Sequence, residues 1–529
     1  MFELTGAILR RLPEAIDLEC IRQSRMGLEK ESLRVARNGG IADTPHPAAW
    51  GAPLTHPWIT TDYSEALAEF ITPPLASSGE ALDFLADVQS YAYRLLEDEF
   101  LWATSMPCVL AGEKSIPIAE YGDSNLGRMK HVYRVGLGWR YGRVMQVIAG
   151  VHFNWSLPEA FWPAYAALAG EEDPRTMRDR AYMGMVRNLQ RIGWLVPYLF
   201  GASPAVCKSF FANGESRLAV FDESTFYEPY ATSLRMGDIG YQNKKEDGLG
   251  IHVCYRDVET YARSLLYAVT TPAEAWERIG VKVDGEYRQL NANLLQIENE
   301  YYNTVRPKQL TGRLESPAVA LLERGVRYVE LRSLDVNAFH PLGVDETQLR
   351  FVEALMFACL LADSPGLSGE ELDEINENIL RVAHRGREPG LELRCCGRPV
   401  ALRDWAQRVL DAVLPVAELL DRVHGGQAYE DAVDEQLRKV LAPERTPSAR
   451  MLDEMRERGE GFYDFARRLS THHYRYFSER ALSSERIAEF DRLAAESHLE
   501  QAAIEAADDM DFDTFLAEYF AQTYRALEG

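Results

Sequence analysis

The sequence predicts an α+β protein: a largely antiparallel sheet, curved so that its polar face forms a basin, covered by helices and followed by a helical C-terminal part. Two observations predict it. Several segments in the first two thirds of the chain alternate so that polar and charged side chains fall on one face only. Beyond about residue 345 the pattern changes to acidic amphipathic segments at helical spacing. One-sided strands suit an antiparallel sheet with one face packed and one face solvated.

In chain order, the first strand is Met26-Gly-Leu-Glu-Lys-Glu-Ser-Leu-Arg-Val35, in which Glu29 and Glu31 share a face. Asp62-Tyr-Ser-Glu-Ala-Leu-Ala-Glu-Phe-Ile-Thr-Pro73 follows, with Glu69 among apolar neighbours. A helix capped by Ser78 is expected from Leu82, Leu85, Val88, Ala92 and Leu95 at spacings of three and four. Val144 to Ser156 reads as one strand, with Gln146, Gly150, His152, Asn154 and Ser156 on one face, interrupted by Ile148, and Val147, Ala149, Val151, Phe153 and Trp155 on the other. A helix over Thr176 to Leu195 ends before the loop Phe200-Gly-Ala-Ser-Pro204. Val326 to Asp335 is a further strand that projects Tyr328, Glu330 and Arg332 together. Helices are expected over Asp345 to Ala362, Gly369 to Val382, Leu402 to Val423 and Ser484 to Ala507, with a linker at Arg385 to Pro399.

Composition excludes several classes of function. The 529 residues, 46% hydrophobic and 26% charged, have ordinary globular usage. A formal net charge of −24 leaves no basic surface for non-specific nucleic-acid binding, so anionic substrates must be drawn in locally. No run of apolar residues is long enough to span a membrane, and Met1-Phe-Glu-Leu-Thr-Gly-Ala-Ile-Leu-Arg-Arg11 lacks the pattern of a signal peptide. The seven cysteines are odd in number and scattered, which reads as reduced, buried thiols in a cytoplasm, and their spacing is not that of a zinc site. Neither a P-loop nor a dinucleotide fingerprint is present. With nine lysines in the chain, arginine is the expected phosphate partner.

Carboxylates gathered in or near a core need positive charge between them, and an acidic cluster with no Lys/Arg run beside it suits divalent cations. Other readings stand beside this one. Glu29 and Glu31 also fit an exposed, solvated edge, Asp62 a turn cap, and His152 a satisfied core histidine. Arg332 could simply pair with Glu330. Three polar-aromatic segments, at Gly127 to Arg134, Tyr230 to Tyr241 and Leu295 to Lys308, combine phenols with arginine in a way that suits an amino-acid zwitterion, and each also fits a tyrosine-rich surface loop.

Taken together, Gly27-Leu-Glu-Lys-Glu-Ser-Leu-Arg34, Trp58-Ile-Thr-Thr-Asp62, Glu65-Ala-Leu-Ala-Glu-Phe-Ile-Thr-Pro73, Ser105-Met-Pro-Cys108, Tyr121-Gly-Asp-Ser-Asn125, Pro197-Tyr-Leu-Phe-Gly-Ala-Ser-Pro204, Leu295-Gln-Ile-Glu-Asn-Glu300 and Glu330-Leu-Arg-Ser-Leu-Asp335 resemble, in order and spacing, the gammaproteobacterial type of glutamate-cysteine ligase. The resemblance runs to beyond residue 380 and weakens in the helical C-terminal part. It implies a glutamine synthetase-like fold and an ATP-dependent ligase that joins the γ-carboxylate of glutamate to the amine of cysteine through γ-glutamyl phosphate. It also implies residues 1–384 as the catalytic region and 385–529 as a helical part packed on it. Carried over by motif, Glu29, Glu31, Asp62, Glu69, His152 and Glu330 would hold magnesium, with manganese as the alternative, and Glu330 and Arg332 would be catalytic, Arg332 meeting the transferring phosphate. Gln146, Asn154 and Asn299 would line the glutamate and nucleotide side, and Tyr133, Arg235, Tyr241 and Tyr302 would surround cysteine.

A monomer acting on small molecules, inhibited by glutathione, is the expected form, with no nucleic-acid or membrane partner and no room for a fused second ligase. The chain departs from the family at Tyr301-Tyr302-Asn303-Thr304, in place of a Leu-Tyr-Ala-Pro run, and at Ala338, where proline is usual. Two rival readings are a ligase of the same design with another amine acceptor and a catalytically idle metal- or glutamate-binding protein.

Overall fold

Alternation along the first long strand, β1 (Arg25–Ala36), sets the architecture. Leu28 is fully buried on one side, while Glu29 and Glu31 face the other. The computed structural model describes residues 6–211, 216–240 and 252–528. Six further strands complete the main sheet: β2 (Ile59–Thr61), β3 (Leu67–Ile71), β4 (Glu99–Leu101), β5 (Gly150–Ser156), β6 (Val305–Lys308) and β7 (Tyr328–Asp335). Their spatial order is β6-β7-β5-β1-β3-β2, with β4 paired to the end of β1, and every pairing is antiparallel.

Register carries one row of polar side chains across the sheet. Arg306 lies opposite Glu330, Glu330 opposite Asn154, His152 opposite Glu29, Glu31 opposite Glu69 and Glu69 opposite Thr60. The reverse face of β5 presents Val151, Phe153 and Trp155, all buried. Trp155 packs against Phe357 with ring centroids 5.7 Å apart and donates to buried Glu353 at 3.3 Å. Lys30 belongs to that reverse face. It is buried, donating to Gln89 Oε1 at 2.9 Å and to the Pro341 carbonyl at 3.1 Å, and burial pushes its ammonium down to about 7.

Five helices bear on the site: α1 (Ser78–Arg94), α2 (Asn125–Tyr141), α3 (Pro174–Ile192), α4 (Glu346–Leu361) and α5 (Gly369–Arg385). Helix α1 is capped by Ser77, whose hydroxyl accepts from Glu80 N, so the expected cap at Ser78 is corrected by one residue. Asp173 caps α3, which stops at Ile192, and a second short helix, Leu195–Phe200, leads into the loop at Gly201. Helix Leu402–His424 and helix Ser484–Ala507 follow the expected segments. The expected linker is instead a hairpin, Glu392–Cys395 with Arg398–Ala401, anchored by fully buried Leu393. Helices beyond residue 460 return to the first part of the chain through Ser470 Oγ with Ala103 N at 2.9 Å, Asp491 with the Tyr91 hydroxyl at 2.9 Å and Ser497 Oγ with Ala52 N at 2.8 Å.

Two further expectations fail locally. Residues 145–147 form a 3-10 turn and the strand begins only at Gly150, because Ile148 breaks the alternation. Cys108 and Cys207 are joined in a disulfide with Cα atoms 5.3 Å apart, so the reading of all seven cysteines as free thiols is corrected to five. A separation of 99 residues gave that pair no local signal. Among the described residues no helix is long and apolar enough to cross a membrane.

If the reverse face of β5 is the packed one, Phe153→Ala should lower the unfolding free energy by about 3–5 kcal/mol in a denaturant titration. A loss under about 1 kcal/mol would show that this face is not close-packed.

Candidate active site

The polar row of the sheet forms the floor of a cavity of about 270 Å³. Its far wall is α2, which contributes Tyr133, Arg134, Leu137 and Tyr141, and its rim is the stretch from Asn299 to Lys308. Helix α2 can lie close because Gly127 and Gly136 carry no side chain: a Cβ on either would come 2.2 Å from the Tyr121 carbonyl oxygen or 2.1 Å from Gln296 Oε1. Behind this wall Arg140 and Glu300 form a fully buried ion pair at 2.7 Å, and Glu300 also accepts from the Tyr141 hydroxyl at 2.9 Å.

At the centre stand Glu29, His152 and Glu330, each able to present one ligand atom within 4.8 Å of the others. His152 Nδ1 lies 3.1 Å from Glu29 Oε2 and 3.6 Å from Glu330 Oε1, and Nε2 lies 3.6 Å from Glu31 Oε1. Asn154 Nδ2 donates to Glu29 Oε1 at 2.8 Å, and Gly150 N to Glu31 Oε2 at 2.6 Å. Asp62 and Glu69 line the same cavity. Positive charge enters from β6 and β7. Arg332 donates to Glu330 Oε1 at 3.0 Å, and Lys308 Nζ is 3.6 Å from Glu330 Oε2.

This arrangement divides the acids into two kinds. Burial raises the Glu330 carboxyl, but Lys308, Arg332, His152 and Arg306 outweigh it and hold the group well below the usual carboxylate range. Burial likewise opposes ionisation of Glu29, and the hydrogen bond from His152 brings it net below its ordinary value. For Glu69 the relief, from Arg332, is too small. Burial, then the charges of Glu29, Asp62 and Glu31, push it well above the ordinary range, and burial raises Glu31 too. The basin is therefore short of positive charge on the Glu31–Glu69 side. Glu330 Oε2 and Asn154 Oδ1 are buried without a hydrogen-bond partner. Carboxylate oxygens with one imidazole nitrogen form a donor set that fits a hard divalent cation such as Mg2+ or Mn2+.

A bulge in β7 aims the catalytic candidate. The register with β5 slips between Leu331 and Leu334, leaving Arg332 and Ser333 opposite His152. The Arg332 amide instead donates to the Thr304 carbonyl at 2.8 Å, and Asn303 Oδ1 accepts from Arg306 Nε at 3.0 Å, so the departing run Tyr301 to Thr304 supports both arginines. Arg235 secures the bulge from the other side. Its Nη2 donates to the Arg332 carbonyl at 2.8 Å and its Nη1 lies 3.6 Å from Asp335 Oδ1. Asp335 in turn accepts from Ala202 N, Ser203 Oγ and Ser233 Oγ at 2.8, 2.6 and 2.9 Å. Gly150 leaves room for this guanidinium, since a Cβ there would sit 2.1 Å from Nη2.

Of the residues expected from sequence, Glu29, Asp62, Glu69, Tyr133, Gln146, His152, Asn299, Tyr302, Glu330 and Arg332 line the one cavity. Glu31 and Asn154 touch this group through His152 and Glu29. Arg235 sits behind the bulge, 3% exposed, and Tyr241 lies outside the described residues. Sequence reasoning passed over Tyr63 and gave no individual role to Arg134, Arg306 and Lys308, although it singled out their segments; all four also line the cavity. The alternation of Val305-Arg-Pro-Lys308 was the signal for the last two, which share a strand face.

Residues 9–382 match the glutamate-cysteine ligase family. Over 522 residues the chain is 49% identical to the glutamate-cysteine ligase of Pseudomonas paraeruginosa, covering 98% of both sequences. It is 47% identical over 525 residues to that of Azotobacter vinelandii, covering 98% of this chain and 99% of the other. The crystal structure of glutamate-cysteine ligase from Francisella tularensis in complex with AMP superposes with a TM-score of 0.89 at 34% identity, over 95% of this chain and 99% of that one. A bifunctional glutathione synthetase from Pasteurella multocida shares the fold, with a TM-score of 0.72 at 23% identity over 93% of this chain and 58% of that one.

Gly150→Ala should force the Arg235 guanidinium from its place and cost about 1–3 kcal/mol in a denaturant titration. An unchanged midpoint would show that Arg235 is not held against the sheet there.

Proposed function

This chain belongs to the glutamate-cysteine ligase family, and on that premise we propose how its basin carries out the reaction. It is an ATP-dependent ligase with a glutamine synthetase-like fold that joins the γ-carboxylate of glutamate to the amine of cysteine, giving γ-glutamylcysteine for glutathione synthesis. A carboxylate has no leaving group, so activation as γ-glutamyl phosphate precedes attack by the amine, and two anions must approach each other first.

The observation that carries the assignment of roles is the convergence of Glu29, His152 and Glu330 beside Arg332, Arg306 and Lys308 in one cavity. We assign the cation to Glu29, His152 and Glu330, with Glu31, Asp62 and Glu69 as the remaining carboxylates of its site. When bound, it supplies Lewis-acid polarisation and charge neutralisation. Arg332, aimed by the bulge and polarised by Glu330, stabilises negative charge spreading over the transferring phosphoryl oxygens. Arg306 and Lys308, on the same face of β6, bind the polyphosphate. Glu330 orients Arg332 through their 3.0 Å contact. Gln146, Asn154 and Asn299 orient glutamate and nucleotide, while Tyr133 and Tyr302 bound the side given to cysteine, with Tyr241 assigned there by motif and Arg235 supporting it from behind the bulge.

Every cavity-lining residue precedes position 384, which supports 1–384 as the catalytic region and 385–529 as a helical part. Glutathione carries both a γ-glutamyl and a cysteinyl moiety, so inhibition by occupancy of the same basin belongs to this reading, as does a cytoplasmic monomer.

Glu29→Gln should lower magnesium-dependent ADP formation by on the order of a hundredfold or more and weaken Mn2+ binding measured by electron paramagnetic resonance, with unchanged circular dichroism. Retained activity together with retained Mn2+ affinity would remove Glu29 from the cation site. In the same coupled assay, equal turnover with cysteine omitted and another amine supplied would overturn the acceptor.

A further inference from the structure

Arg235 rides on a 3-10 turn, Leu234–Met236, held by the C-terminal end of α5. Thr232 N and Ser233 N donate to the Ala383 carbonyl at 2.9 and 3.2 Å, and the Thr232 hydroxyl to the Val382 carbonyl at 2.9 Å. The next residue of α5, His384, holds the segment from both ends. Its Nδ1 lies 2.7 Å from Glu228 Oε2, before the turn, and its Nε2 lies 3.1 Å from Asp238 Oδ1, after it. Gly237 makes the approach possible, since a Cβ there would stand 2.8 Å from Nε2.

We propose that His384 is a positioning residue for the ligase reaction: bridging Glu228 and Asp238, it fixes the turn that carries Arg235 and, through Arg235, the backbone of Arg332. The inference rests on the roles given above to Arg235 and Arg332. Carboxylates only accept hydrogen bonds, so a ring between two of them bonds both only when both nitrogens are protonated. Its place in the last turn of α5 adds the partial negative charge of the helix end. Burial opposes the charge, but the hydrogen bond and charge of Glu228 and the charge of Asp238 hold the imidazolium above its ordinary range.

Among the described residues the charged groups around the ring are Glu228, which follows the strand Thr225–Tyr227, Asp238 after the turn, and Arg217, which donates to Asp238 Oδ2 at 2.9 Å. On α5 itself Arg385 is engaged by Glu388 at 3.0 Å.

The sign follows from a folded-state pKa raised above its unfolded value. The bridge is complete below the ordinary histidine range and is lost as pH rises through the raised value. A neutral ring can keep Glu228 as its acceptor, with Nε2 accepting from the Asp238 amide that already stands 3.3 Å away, while the Asp238 carboxylate keeps Arg217 but loses the imidazolium. Deprotonation therefore exchanges a partner on the very residue that ends the Arg235 turn.

The test compares full-length wild type, His384→Gln and Glu228→Gln by kcat/KM for cysteine over roughly pH 6 to 9, with glutamate and magnesium-ATP saturating. The wild type should lose kcat/KM through an alkaline inflection. Near neutrality His384→Gln should be lower by on the order of tenfold, with that inflection absent. Glu228→Gln, which leaves the ring but removes one counter-charge, should move the inflection to lower pH, and it decides the matter alone if His384→Gln does not fold. Variant profiles parallel to wild type, whether equal or uniformly reduced, would overturn the inference. No cysteine-dependent ADP release by the wild type at any pH would instead overturn the reading of the basin, a separate failure.

Discussion

Mutual repulsion of buried carboxylates is the constraint around which this molecule is organised. Five acidic side chains from β1, β3, β7 and the turn before β3 approach one another in or beside a cavity that burial has made poorly screening. Such a set is tolerable only with fixed positive partners, and the structure supplies them unevenly. Arg332, Arg306 and Lys308 compensate the Glu330 end, while Glu69 and Glu31 remain pushed toward protonation. The asymmetry leaves one end of the basin paired with fixed cations and the other with carboxylates that only a further positive charge would relieve. The rest of the fold, from the antiparallel register to the buried Arg140–Glu300 pair behind α2, keeps these groups from relaxing apart.

Alternation made much of this legible from sequence. Glu29, Glu31, Glu330 and Arg332 lie on strands whose period-two pattern is clean, and a side chain's face is fixed once the strand is recognised. The same rule failed at Gln146, where one isoleucine out of phase marks a 3-10 turn and not a continuing strand, although the residue still reaches the cavity. Helices with apolar stripes and good caps were legible to within a residue or two, as at Glu346–Leu361, capped by Asp345. Partners distant in sequence were not. No local pattern pairs Cys108 with Cys207, turns the segment after Arg385 into a hairpin, or sets Arg235 behind a bulge that exists only once β5 and β7 have paired. Arg306 and Lys308 were visible as an alternating pair, but their meaning depended on a neighbour 20-odd residues later in the chain, Glu330, whose register with β6 no sequence pattern reveals.

Support for Arg332 is distributed over three separate stretches of chain. The Thr304 carbonyl receives its amide, the Arg235 guanidinium holds its carbonyl, and Glu330 takes one arm of its side chain. Each contact alone is an ordinary hydrogen bond. Together they fix the backbone and one arm of a long, flexible side chain, the preorganisation that the role proposed for it requires.

Lys30 stands between Glu29 and Glu31 in sequence yet points to the reverse face, buried against Gln89 and Pro341. Were β1 to pair one residue out of step, an ammonium would enter the basin while two carboxylates were driven among Val151, Phe153 and their neighbours. The acid-lysine-acid triplet thus proofreads strand assembly: every slip by an odd number of residues carries a large electrostatic penalty.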